Sequence, residues 1–204
     1  MSAKVKLRVY NAVVIPTLLY GCGSWALKKS HLKRLEVFQM RCLRSIFRIS
    51  RREKLRNTSI RRRGSQLRVE TIVRSARLRW LGHVIRMSLG RDPKRICFSK
   101  PPDGKRKRGG QHRRWSDLVK KEMAFMCGED ESWLTMARDR QTWADRCGAF
   151  ALQQNRALEL RDDRRRAERS RKVPDTPCDV CGKLCRGTRG LAVHKRVHER
   201  ELAV

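Results

Sequence analysis

Residues 178–198 read CDVCGKLCRGTRGLAVHKRVH, and within them Cys178-x2-Cys181-x12-His194-x3-His198 has the spacing of four zinc ligands. A tight turn between two cysteines presents two thiolates from a hairpin. Two histidines four residues apart share one helix face, and the four groups close a tetrahedron around one Zn2+. Gly182-Lys183 suits the turn, and Leu191 suits the inward apolar position of the helix. A segment of about thirty residues buries too little apolar surface to fold alone, so the metal is expected to supply its folding energy. Cys185 stands where such fingers commonly bury an aromatic side chain. Its small thiol predicts a looser core and leaves a fifth candidate ligand.

The same segment is poorly equipped to read bases. With Leu191 at helix position 4, the base-facing positions −1, 3 and 6 fall on Gly187, Gly190 and Val193. None of these offers a bidentate hydrogen-bonding fork, and only Arg189 beside them has that capacity. Lys183, Arg186, Arg189, Lys195, Arg196 and Arg200, set against Asp179 and Glu199, suit phosphate contact instead.

The rest of the chain has the charge for that partner. Of 204 residues, 51 are Lys or Arg and 20 are Asp or Glu, a formal net charge of +31. Such an excess attracts polyanions and excludes a protein built around neutral partners. RNA or DNA held through phosphates is the expected partner, with an anionic membrane surface as the alternative polyanion. Residues 91–115 hold ten Lys or Arg against Asp92 and Asp103; Lys105, Arg106, Lys107, Arg108, Arg113 and Arg114 are the candidate phosphate contacts there. Lys105–Arg108 also fits a nuclear-localisation signal, which points to the nucleus, with the cytoplasm left open. The N-terminal stretch mimics a signal peptide, but Asn11 and Pro16 interrupt its apolar run and Val13–Cys22 is too short to span a bilayer. Neither secretion nor a membrane partner is expected. Five of the eight cysteines are scattered singly and read as ordinary thiols in a reducing compartment.

To position these residues the chain needs helices. Leu32, Leu35, Phe38, Cys42 and Ile46 recur at helical spacing within 31–47, and Val69, Ile72, Val73, Ala76, Trp80, Val84 and Met87 form a stripe within 69–87. Residues 51–63 read as a charged connection, and RICFS (95–99) as a possible short strand. Ser116 reads as the N-cap of a helix over 117–126, and a further helix is expected from about Ser132 through Trp133, Ala137, Trp143 and Cys147. From 149 to 172 the apolar stripe is nearly absent, which predicts a solvated helix or a charged linker before Pro174 and Pro177. The fold class is therefore mainly α: a basic helical domain (1–148), a charged helical linker (149–173) and one small ββα zinc finger (174–204). Trp80 is expected in the core. Trp115 divides evenly between core packing and stacking on a base, and His83 is expected to be structural or exposed.

Four stretches, IPTLLYGCGSW (15–25), LRWLGHVIRM (78–87), GKRKRGGQHRRWSDLV (104–119) and ARDRQTWADRC (137–147), resemble in their order the region downstream of the polymerase palm in reverse transcriptases of non-LTR retrotransposons. C-terminal fingers with Cys-x2-Cys-Gly-x2-Cys, and Gly-Leu before the first histidine, also occur in those elements. The likeness covers most of residues 5–198. Gly23 departs from the acid that usually precedes the family's tryptophan, and Gly110-Gln111 from its usual Arg-Pro. The resemblance implies that residues 1–148 correspond to the thumb and the segment after it. Because it begins with the first residues, no fingers or palm is expected within the chain; a full-length parent would carry a palm upstream.

Polymerase chemistry needs carboxylates that hold two metal ions. The one Asp-Asp pair, Asp162-Asp163, lies amid arginines in LRDDRRR, where salt bridging is the simpler account. The chain is thus expected to be a noncatalytic zinc- and nucleic-acid-binding remnant. A sequence-reading zinc-finger regulator, an active polymerase fragment and a decayed reading frame are the alternatives.

Overall fold

A computed structural model describes residues 1–98, 114–127, 133–171 and 175–201. The fold is mainly α. Helix α1 (Ala3–Val9) continues through a π turn (Tyr10–Val14) into α2 (Ile15–Leu18), followed by α3 (Lys29–Phe47), α4 (Asn57–Arg63), α5 (Val69–Arg86), α6 (Asp92–Phe98), α7 (Trp115–Cys127), α8 (Trp133–Arg138) and α9 (Arg140–Arg171). Strands β1 (Asp175–Pro177) and β2 (Leu184–Arg186) and helix α10 (Gly187–Glu201) complete the described elements. Two compact units are present, Met1–Arg156 and Ala157–Val204.

In the first unit α5 is the central element. The stripe predicted for it buries Val69, Val73 and Val84, but Thr71, Ser75, Arg77, Leu78, Leu81 and Gly82 are buried too, so the helix is covered on most sides. Leu78 and Leu81 pack with Val119, Met123, Ala137, Trp143, Cys147 and Phe150. Val69 and Val73 pack with Leu19 and Cys22, while Tyr10, Met40, Leu43, Ile49 and Ile60 form a further cluster. Each fully buried Val, Leu, Ile, Phe or Met among them contributes about 1.5–3 kcal/mol.

Several expectations are corrected. The charged stretch 51–63 contains α4, with Ile60 and Arg61 buried. Arg61 can be buried because its guanidinium pairs with Glu36 and donates to Gln39 Oε1 at 3.2 Å, while Gln39 Nε2 donates to the Leu67 carbonyl at 2.8 Å. Residues 95–98 of the possible strand belong to α6. Helix α7 begins at Trp115, placing Ser116 inside its first turn; the Asp117 carboxylate accepts from the Arg114 backbone N–H at 3.4 Å. The helix expected from Ser132 is two helices broken at Asp139. Its carboxylate accepts from the N–H groups of Gln141 (3.1 Å) and Thr142 (3.2 Å) and so caps α9. A buried face also continues past 148: after Cys147, the apolar Phe150, Ala151 and Leu158 and the polar Gln154 are buried at helical spacing.

Trp115 and Trp143 are both tied into this unit. The Trp115 indole N–H donates to the Gly23 carbonyl at 2.7 Å, and the Trp143 indole N–H donates to the Leu78 carbonyl at 2.9 Å. Trp80 is half-buried rather than fully in the core, and His83 is exposed. A Cβ on Gly23 would meet the Ala76 carbonyl oxygen at 2.9 Å, which leaves no room there for an acid. Residues of all four family-like stretches therefore serve packing.

In the second unit β1 and β2 pair antiparallel, with Asp175 opposite Arg186, Thr176 opposite Cys185 and Pro177 opposite Leu184. Gly187 takes φ +68° where β2 passes into α10, a conformation that L side chains rarely adopt. The glycine expected at a base-facing position is thus accounted for by the turn.

Candidate metal centre

The turn after β1 carries Cys178 and Cys181. The Gly182 N–H donates to the Cys178 carbonyl at 2.8 Å, and the Cys178 N–H donates to the Lys183 carbonyl at 2.9 Å. Gly182 closes the turn at φ +70°. This backbone ring turns both sulfurs to one side. His194 and His198, one helical turn apart on α10, meet them with rings 4.7 Å apart and nearly perpendicular.

The ligand atoms of Cys178, Cys181, His194 and His198 all lie within 4.8 Å of one another. Tetrahedral zinc with Zn–S of about 2.3 Å and Zn–N of about 2.05 Å requires S···N edges of about 3.6 Å and N···N edges of about 3.3 Å. The observed separations are 3.6 Å from Cys178 Sγ to His198 Nε2, 3.1 Å from Cys181 Sγ to His194 Nε2, and 3.2 Å between the two Nε2 atoms. The four residues could hold one metal ion, and two thiolates with two imidazoles are a donor set that zinc prefers. Cys185 is buried but is not one of the converging residues; its thiol faces the Lys183 carbonyl at 3.6 Å.

Beside the cluster, Lys195 Nζ donates to Asp179 Oδ2 at 2.7 Å, joining the turn to α10. That hydrogen bond holds the Asp179 carboxyl below its ordinary pKa and raises Lys195 above its own. Lys195, expected to contact phosphate, therefore carries an ion pair within the unit. Arg189 and Arg196 are exposed on α10, and Arg186 lies on β2. Arg114 is exposed ahead of α7, whereas Lys105, Arg106, Lys107, Arg108 and Arg113 lie outside the described residues. Val193, at a base-facing position, is 61% exposed and offers only methyl groups.

Unit 1 also contains a buried ion pair that periodicity could not reveal. Arg77 and Glu122, 3% and 4% exposed, face one another, and Arg77 Nη2 also donates to the Trp25 carbonyl at 3.2 Å. Burial pushes the Glu122 carboxyl up to about 7 against the pull of Arg77. All eight thiols are free of disulfides. Burial raises Cys22, and raises Cys147 to about 11, as suits unreactive core thiols. No described helix is long and apolar enough to cross a membrane.

Over 147 residues the chain is 27% identical to a protein of Caenorhabditis elegans named as uncharacterized and transposon-derived; the match covers 69% of this chain and 53% of the worm protein. The chain thus spans about half the length of the curated relative it matches. No protein-family model and no solved structure matches. The likeness supports a transposon origin.

Proposed function

We propose that this chain is a noncatalytic zinc- and nucleic-acid-binding remnant of a non-LTR retrotransposon reverse transcriptase. Residues 175–201 act as a ββα zinc finger in it, and the partner is RNA or DNA held through phosphates. The carrying observation is the convergence of Cys178, Cys181, His194 and His198 in a chain of net charge +31. The transposon-derived relative agrees with the origin.

Zinc, when bound, supplies the link between hairpin and helix and so fixes the helix that presents Arg189 and Arg196. Those guanidinium groups, with Arg114, Arg186 and the basic run Lys105–Arg108, meet phosphate oxygens and displace condensed counterions. Gly187, Gly190 and Val193 supply no hydrogen bonds to base edges. Asp162 and Asp163 lie within α9 among Arg161, Arg164, Arg165 and Arg166, a setting for side-chain pairing along a helix rather than for a two-metal polymerase centre. The nucleus is the proposed location, and a longer parent would carry the palm.

The test is selection from random duplex and single-stranded pools, followed by a salt series. Unrelated sequences are expected to bind within a small factor of one another, with affinity falling steeply as salt rises. Replacing Lys105, Arg106, Lys107 and Arg108 with alanine should flatten the log–log salt slope by about four or less. A strong motif lost in Arg189→Ala would establish a sequence-reading regulator instead. Template-dependent nucleotide addition by the pure protein would overturn the noncatalytic assignment.

A further inference from the structure

The first unit has an open cleft of about 490 Å³ where residues 19–24 meet α5. Sites for small ligands span about 300–1,000 Å³. Its wall is held firmly. Gly23 sits so close to α5 that a Cβ there would stand 3.0 Å from Trp80 Cβ, and the Gly23 carbonyl is anchored by the Trp115 indole. Gly21 turns the chain at φ +66°.

Trp80, His83 and Arg79 line the cleft, and none of its lining residues is Asp or Glu. The Trp80 and His83 rings lie 5.3 Å apart, tilted by 46°. His83 and Arg79 are exposed, and Arg79 makes no ion pair among the described residues. Tyr20, 86% exposed, stands between the lining residues Leu19 and Gly21.

An indole lining an open cleft, a second ring beside it and a guanidinium with no ion pair among the described residues are what an unpaired base and its phosphate need. The base stacks, and the phosphate takes the cation. A base within a duplex has both faces covered by its neighbours and could not enter. We propose that this cleft takes one unpaired nucleobase of a single strand, stacked on Trp80 beside His83, with a flanking phosphate on Arg79. The assignment rests on the chain's reading as a nucleic-acid binder. It adds a preference for bases presented on single strands, which phosphate contacts alone do not give.

The full chain is titrated, at one fixed salt concentration, with a fluorescein-labelled oligothymidylate and with an abasic strand of equal length and charge. The base-bearing strand should bind more tightly, by between about fivefold and about a hundredfold, and should quench tryptophan emission. His83→Ala, an exposed position, and Trp80→Leu, with its folding checked by circular dichroism, should shrink that ratio without weakening the abasic strand. Equal binding of the two strands by the native chain would overturn the stacking site and leave the phosphate reading standing. A ratio unchanged in both variants would also overturn it, by placing base contact elsewhere. Failure of both strands to bind would remove both readings.

Discussion

The indole of Trp143 occupies the space that a side chain at position 82 would need: a Cβ on Gly82 would lie 2.3 Å from Trp143 Nε1. Two of the stretches that resemble retrotransposon reverse transcriptases, 65 residues apart at the Leu78–Trp143 hydrogen bond, are thereby locked together.

Gly82→Ala is therefore expected to destabilise the first unit. In an open helix the change would add about 1 kcal/mol of stability. Here the methyl group collides with a ring that is 2% exposed, and overpacking of a filled core typically costs about 1–3 kcal/mol. All five tryptophans lie within Met1–Arg156, so urea unfolding followed by tryptophan emission isolates this unit. Trp143→Leu should cost less in the Gly82→Ala background than alone; equal costs would show that the two positions do not compete for space.

The Arg77–Glu122 pair predicts an unusual acid-side response. The folded state holds the Glu122 proton more tightly than the unfolded chain, whose carboxyl has the ordinary value of 4.5 against about 7 when folded. The resulting stabilisation is complete below about pH 4.5 and is lost as pH rises through about 7. Glu122→Gln should flatten that decline in the urea midpoint between pH 4.5 and 7. An unchanged slope would assign the pH dependence to other groups.

The metal centre predicts one zinc per chain. Cys181→Ala and His194→Ala should abolish tight binding, because three ligands cannot close the tetrahedron. Cys185→Ser should retain one zinc, and cobalt substituted for zinc should give the visible spectrum of a tetrahedral S2N2 site. A chelator should melt the hairpin and α10 while leaving tryptophan emission unchanged. Loss of zinc in Cys185→Ser would make Cys185 a ligand.

Much of the fold was legible because its signals are local. Periodicity alone located α3 and α5 within two residues of their ends, but in α3 it missed the buried face: Phe38 is 40% exposed, Leu32, Leu35, Cys42 and Ile46 are half-buried, and Gln39, Met40 and Leu43 are the buried residues. Helix α4 escaped because the basic run RRR hides Arg61, whose burial makes sense only beside Glu36, 25 residues earlier. The break at Asp139 escaped for another reason. The sequence stripe passes through it, and only the capping bonds to Gln141 and Thr142 show that α9 starts anew.

The sequence by itself determined the metal cluster. Two cysteines across a turn and two histidines on one helical face meet as soon as hairpin and helix form, with few alternative pairings. It also determined the charge that favours a polyanionic partner. Only the tertiary structure decided that Trp115 is anchored to Gly23, that Trp143 fills the gap over Gly82, and that Arg77 is buried against Glu122. In each of these pairs the partners are tens of residues apart. Either member of each pair could meet many other neighbours, so nothing short of the packed chain selects its partner.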